Sequence, residues 1–410
     1  MFNKRKLLSF LSGTLVSLPM LVSAETVFEE VRVTYDSGGQ DSLTSSAVDR
    51  DGNMYITGVR RNDARGVFTA KYDSYGREKW VRHSSDSVLG GNKMTTDRKG
   101  HSYVALTGNL GNVLKYDADG NETILSDRRV VPYGCCSRQV GLVLDHNENN
   151  LYSWASHTIQ KINLNGDVGW TQQLHFANHL VRDIAVDDFD NIYVVGHSVG
   201  HLSEIIVKKI DSQGNVIWSQ FWHEENRHGE RAYGLELDSN NNIYILLHNL
   251  SSEDTCLNCA SSSVISYSSD GHFLNRIILN GYLAGSIKVA DDKVYVVMRN
   301  RSAFTMVVQK LDTDLSQIWS STEFAVGSNI LSKLDADGVG NVVVGFMGPD
   351  SRSTITKFDM NGSELWTIKG EGRGRPPAFV KFALGGNVYA ADSYLDVFMY
   401  RYDVTPLICQ

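Results

Sequence analysis

The sequence predicts an all-β fold, an eight-bladed β-propeller closed by its own N-terminal strand, with seven blades as the alternative count. Three observations predict it. A turn-and-strand motif returns at blade-length intervals; a second frame ending in tryptophan follows most copies; and the last copy lacks an outer strand that the N-terminus can supply.

The first motif is Asp-x-x-Gly-Asn-x-Tyr, seen at Asp49, Gly52, Asn53 and Tyr55. Its tyrosine position returns at Tyr103, Tyr152, Tyr193, Tyr244, Tyr295, Val343 and Tyr389, with spacings of 41 to 51 residues. Period-two apolar runs bounded by Asp, Asn and Gly read as two strands joined by a tight hairpin. The second frame runs from Asp73 to Trp80, and again from Asn163 to Trp170, Asp211 to Trp218, Asp312 to Trp319 and Asp359 to Trp366, always with a gap of seven. Ile124 and Asn275 take the Trp place in two further copies. This frame reads as a third strand, a turn and an outer fourth strand whose large side chain packs between blades. Residues 399–403 look like a third strand with no fourth before Gln410, so residues 27–35 are expected to complete that blade and remove the open sheet edges. A lysine recurs on the third strands, at 71, 115, 161, 209, 310 and 357, and reads as structural.

These repeats resemble the bacterial β-propeller repeat family, and more loosely the quinoprotein-like repeats with their glycine-then-tryptophan frame. The resemblance implies a propeller over nearly the whole chain and implies little about activity, because one such fold hosts enzymes, binders and scaffolds.

Residues 1–24 read as a signal peptide: Lys4, Arg5 and Lys6, an apolar run, then Val22-Ser23-Ala24 as a small-x-small cleavage pattern. The rest, 25–410, reads as one propeller domain, secreted or periplasmic in a bacterium, monomeric and without a membrane span. Removing three cations and no acids takes the formal charge from -8 to -11. A chain so acidic has no bulk attraction for nucleic acid, so any polyanion must be met by a local basic patch. Export permits disulfides. Cys135, Cys136, Cys256 and Cys259 are the candidates, as loop staples, while Cys409 is unassigned.

Strand order assigns the Asp-Gly hairpins to one face and the remaining loops to the other, where a binding groove is expected. Histidines concentrate on that second face. His175 and His179 fall in the loop entering blade four, with His197 and His201 after its second strand. His223 and His228 enter blade five, and His248 closes its second strand. Arg182, Arg231 and Tyr233 begin the inner strands of these blades, and Tyr282 and Arg299 hold the matching entry and exit positions in blade six.

The chemistry suited to such a set is β-elimination on a uronate-containing polysaccharide. An arginine neutralises the carboxylate, a His or Tyr removes the α-proton, and a second protonates the leaving oxygen. The placement resembles the propeller-type ulvan lyases. That resemblance implies His175 and His197 as the histidine pair, with Tyr282 and Arg299 as the catalytic Tyr and Arg. His179, His201, Arg182, His223, Arg231, Tyr233 and His248 would bind the acidic glycan. Those lyases have seven blades where the repeat here counts eight, and the match is one of spacing with no contiguous motif.

Three other readings stand beside it. A divalent metal such as zinc could be held by imidazoles from His175, His179, His197, His201 and His248, although no cofactor is required for elimination. A non-catalytic module could bind a glycan or protein on the same rim, or the histidines could be solvated loop residues. Calcium is suggested by Asp117-Ala-Asp119-Gly120 and Asp335-Ala-Asp337-Gly338, but neither has the full ligand set, and both read as hairpin turns. A quinone cofactor lacks a ligand constellation.

Overall fold

The computed structural model describes residues 25–406 apart from 37–40, 61–65, 85–89, 108–112, 127–139, 175–178, 199–203, 223–229, 250–260, 301, 328–331, 374–376, 378, 384–385 and 395. All five cysteines, and His175, His201, His223 and His228, lie outside the described residues. Among the described residues no helix is long and apolar enough to cross a membrane.

The strands make a β-propeller. Seven antiparallel sheets each come from one unbroken stretch of chain: blade one begins at Asp41–Val48, two at Gly90–Thr96, three at Val140–Leu144, four at His179–Val186, five at Glu230–Leu237, six at Tyr282–Ala290 and seven at Lys333–Ala336. A further sheet is composite. Its strands Phe379–Phe382, Val388–Tyr394 and Asp396–Pro406 are completed by Glu25–Tyr35, which pairs antiparallel with Asp396–Pro406. This closing sheet packs against the inner strands of blades seven and one, so both ends of the chain are tied into one ring. The first strands touch one another in succession from blade one to the closing sheet, and those of blades one to seven line the central channel.

Each residue of the repeat has a definable task. Asp49 Oδ1 accepts from the backbone N–H groups of Asp51 and Asn53, and its Oδ2 accepts from Asn53 Nδ2 and Tyr55 Oη, at 2.8 to 3.0 Å. Gly52 supplies the positive φ that closes the turn. Tyr55 also donates to the Gly100 carbonyl of blade two, so the turn is latched to its neighbour. The Lys–Trp frame works in the same direction. Lys71 Nζ lies 5.2 Å over the Tyr55 ring, and both it and Trp80 Nε1 donate to the Ala118 carbonyl of blade two. Lys161 and Trp170 share the Ser212 carbonyl, and Lys209 and Trp218 share that of Ser269. The recurring lysines at these positions are inter-blade fasteners.

The same chemistry accounts for the two calcium-like fragments. Asp117 and Asp337 spend their carboxylate oxygens on the backbone and side-chain N–H groups of Asn121 and Asn341. One assignment needs correction. In blade two Lys115 stands opposite Thr123, so Thr123 holds the Trp register, while Ile124 is exposed and Leu125 is the buried residue. The register shift falls between Val113 and Leu114, two residues earlier than the Lys71/Tyr72 shift of blade one, and this displaces the frame.

Candidate functional site

The first strands of blades four and five carry equivalent β-bulges. Val181 pairs with Gly196 and Asp183 with Val195, so Arg182 is the extra residue; Ala232 pairs with Leu247 and Gly234 with Leu246, so Tyr233 is its counterpart. A bulge re-aims the unpaired side chain, and Arg182 and Tyr233 both line the central cavity. Thr44 and Gly285 occupy the same position in blades one and six, without comparable functional groups.

Around these two the structure assembles part of the sequence-derived set. Arg182 Nε donates to His197 Nδ1 at 3.3 Å, which places the proton of the neutral imidazole on Nε2. His197 is buried within strand Ile192–Ser198, and His179 begins a strand, so neither is a loop residue. Tyr233, 39% exposed, stacks on the His248 ring. His248 Nε2 donates to the Ala284 carbonyl at 2.6 Å, joining blade five to blade six. Arg231 stands opposite His248 in the strand pair and is exposed, with no acid at ion-pair distance among the described residues.

The electrostatics of this mouth are one-sided. Burial, then the charge of Arg231, lowers the Arg182 pKa. Burial also pushes the His248 pKa down; the bond to the Ala284 carbonyl opposes this, while Arg182 and Arg231 reinforce it, so the ring is neutral at pH 7. Burial raises the Tyr233 phenol despite nearby Arg182. Tyr233 is therefore a proton donor at neutral pH, and the surroundings favour an arriving anion.

Tyr282 and Arg299 are held differently. Tyr282 Oη donates to Glu323 Oε1 at 3.0 Å, and Glu323 also accepts from Thr305. Burial and that hydrogen bond raise the Tyr282 pKa, the wrong direction for a base. Arg299 is buried, with its guanidinium 5.3 Å over the Phe304 ring. Among the described residues no three His, Cys, Asp or Glu side chains gather as a metal set. Within the alternative imidazole set, His197 Nδ1 and His248 Nε2 are both engaged.

Below the mouth lies a cavity of about 780 Å³ that the sequence reading missed. Its wall carries Lys93, Arg182, Lys288 and Lys333 against Asp183 and Glu236, so the channel is basic inside an acidic protein. The charges fall in two layers. Glu236, Lys288, Asp335 and Lys381 face the repeat tyrosine position of four consecutive sheets, with Lys288 Nζ 2.9 Å from Glu236 Oε2. Lys93, Asp183 and Lys333 face the residue two places further on. Asp183 accepts from the Leu235 N–H across the blade boundary, yet burial pushes its carboxyl up to about 6. Enclosure by the channel walls, then Lys93, lowers Lys333 to about 8, although its side chain is open to the water of the cavity. Aligning the residues that oppose each repeat tyrosine would have exposed these layers in the sequence.

Residues 169–203, which span the outer strand of blade three and the first two strands of blade four, match the model of a family described as "Beta-propeller repeat". No curated protein matches the sequence. Among solved structures, Sqt1 from Chaetomium thermophilum superposes with a TM-score of 0.62 at 10% identity, covering 92% of this chain and 99% of that one. The C-terminal WD40 domain of Sif2 gives 0.58 at 13% identity, again over 92% and 99%. At such identities the likeness is one of fold. Together with the ring of sheets and their inter-blade latches, these matches show a β-propeller fold that carries a β-propeller repeat over residues 169–203.

Proposed function

We propose that this protein is an exported, non-catalytic β-propeller module that binds an acidic glycan at the mouth of its central channel. The observation that carries this is the grouping of Arg182, Arg231 and the Tyr233–His248 stack on two adjacent blades, above a channel with excess cationic charge. A guanidinium fork suits a uronate carboxylate, and an exposed tyrosine face gives a sugar ring an apolar platform. The acidity of the whole chain confines attraction to this patch.

Tyr233 and Tyr282 have raised pKa values, so both phenols stay protonated at neutral pH and can donate hydrogen bonds to a bound glycan. The test is incubation with a uronate-containing polysaccharide. Retardation in a glycan-containing gel with no rise in ultraviolet absorbance supports the module. Unsaturated uronate products, lost in Arg299→Ala, would establish the lyase in its place.

A further inference from the structure

We infer that the channel contains an interior site for one tetrahedral oxyanion, sulfate or phosphate, held between Lys93 and Lys333 beneath the glycan-binding mouth. Both lysines lie in the layer that faces the residue two after the repeat tyrosine position, where Lys93 opposes Ala105 and Lys333 opposes Gly345. Both lysines line the cavity of about 780 Å³, and Gly234 in the same layer places no side chain in it.

This layer sets two ammonium groups against one carboxylate, which acts on both. Asp183 is its one carboxylate among the described residues, and it is engaged by the Leu235 N–H. The neighbouring layer neutralises itself in alternation, through Glu236, Lys288, Asp335 and Lys381. Lys93 lowers the proton affinity of Lys333, and an anion held between the two ammonium groups would relieve that repulsion. A second observation points to the same ligand. Ser332 lines the cavity beside Lys333, is 3% exposed, and its hydroxyl has no hydrogen-bond partner among the described residues. An oxyanion with acceptors on every side would take the lysine protons and that hydroxyl together. This site stands independently of the glycan reading.

The oxyanion can arrive free or as the sulfate ester of a glycan end. The experiment is isothermal titration of the full chain with sodium sulfate and with sodium phosphate, at constant ionic strength set by chloride. One saturable site per chain is expected, weakened by about tenfold or more in Lys333→Met and Lys93→Met, and retained in Lys333→Arg. Arg231→Ala should leave sulfate binding within about twofold while weakening the glycan, so the two proposals fail separately. A sulfated oligosaccharide that displaces sulfate identifies the glycan end as occupant, and one that binds alongside it identifies the free ion. Absence of saturable binding, or equal affinity in Lys333→Met, overturns the site.

Discussion

Tyr233 lies flat against His248, with ring centroids 4.0 Å apart and planes inclined by 20°. The His248 ring is held from behind by the Ala284 carbonyl, so the outer tyrosine face is presented as a rigid platform at the channel mouth. Tyr233→Ala should weaken acidic-glycan binding by about tenfold, in line with an aromatic contact of roughly 1 kcal/mol plus the lost area, while Tyr233→Phe keeps most of it. Affinity electrophoresis on both variants measures this; equal loss in the two would place the role in the hydroxyl.

The inter-blade latch predicts a stability effect without a binding effect. Trp80 is 4% exposed, donates to the Ala118 carbonyl and packs against Gly120, where an added Cβ would meet its ring at 2.6 Å. Trp80→Ala should cost about 3–5 kcal/mol in urea unfolding. Gly120→Ala should destabilise as well, because φ is +82° and the ring cannot retreat. Both folded variants should bind glycan as the parent does.

Asp183 gives a pH signature with a defined sign. Its folded-state pKa of about 6 lies above the ordinary value of 3.8, so its contribution to stability is present below about pH 4 and is lost as pH rises through 6. Asp183→Asn, which keeps an acceptor for Leu235, should therefore raise the melting temperature at pH 8 and converge with the parent near pH 4. Thermal melts across that range read it directly.

Lys333 runs the other way. Its pKa of about 8 is depressed from 10.5, so stability is fully present above about pH 10 and is lost as pH falls through 8. Lys333→Met should be the more stable protein at pH 7 in chloride, with the difference vanishing at pH 10. Thermal melts at pH 7 and 10 test it; sulfate should narrow the gap at pH 7 by stabilising only the parent.

The fold was legible because each repeat residue solves a local problem: Asp49 closes its turn, Tyr55 reaches the next blade, and Lys71 with Trp80 fastens the outer strand. Errors arose where register shifts. Ile124 was placed by counting from Asp117, and a shifted pairing hands that position to Thr123. The mouth was half legible. Arg182, Arg231, Tyr233, His197 and His248 were found by their position near blade entries, but the bulges that aim Arg182 and Tyr233 inward depend on pairing that composition does not reveal. Tyr282 and Arg299 occupy matching strand positions, yet Glu323 and Phe304, distant in sequence or in a turn, hold them within blade six. The channel lysines escaped notice because charged residues in short strands look like solvent-facing positions until the ring closes around them.

A cationic channel mouth on an acidic protein should bind acidic glycan through its two arginines. The most direct test of this binding is the dissociation constant for a uronate oligosaccharide in the parent and in Arg182→Gln/Arg231→Gln, across a salt series. A loss of about a hundredfold or more is expected at low salt, with a shallower salt dependence in the double variant. Equal affinity and equal salt slopes in the two proteins would contradict it.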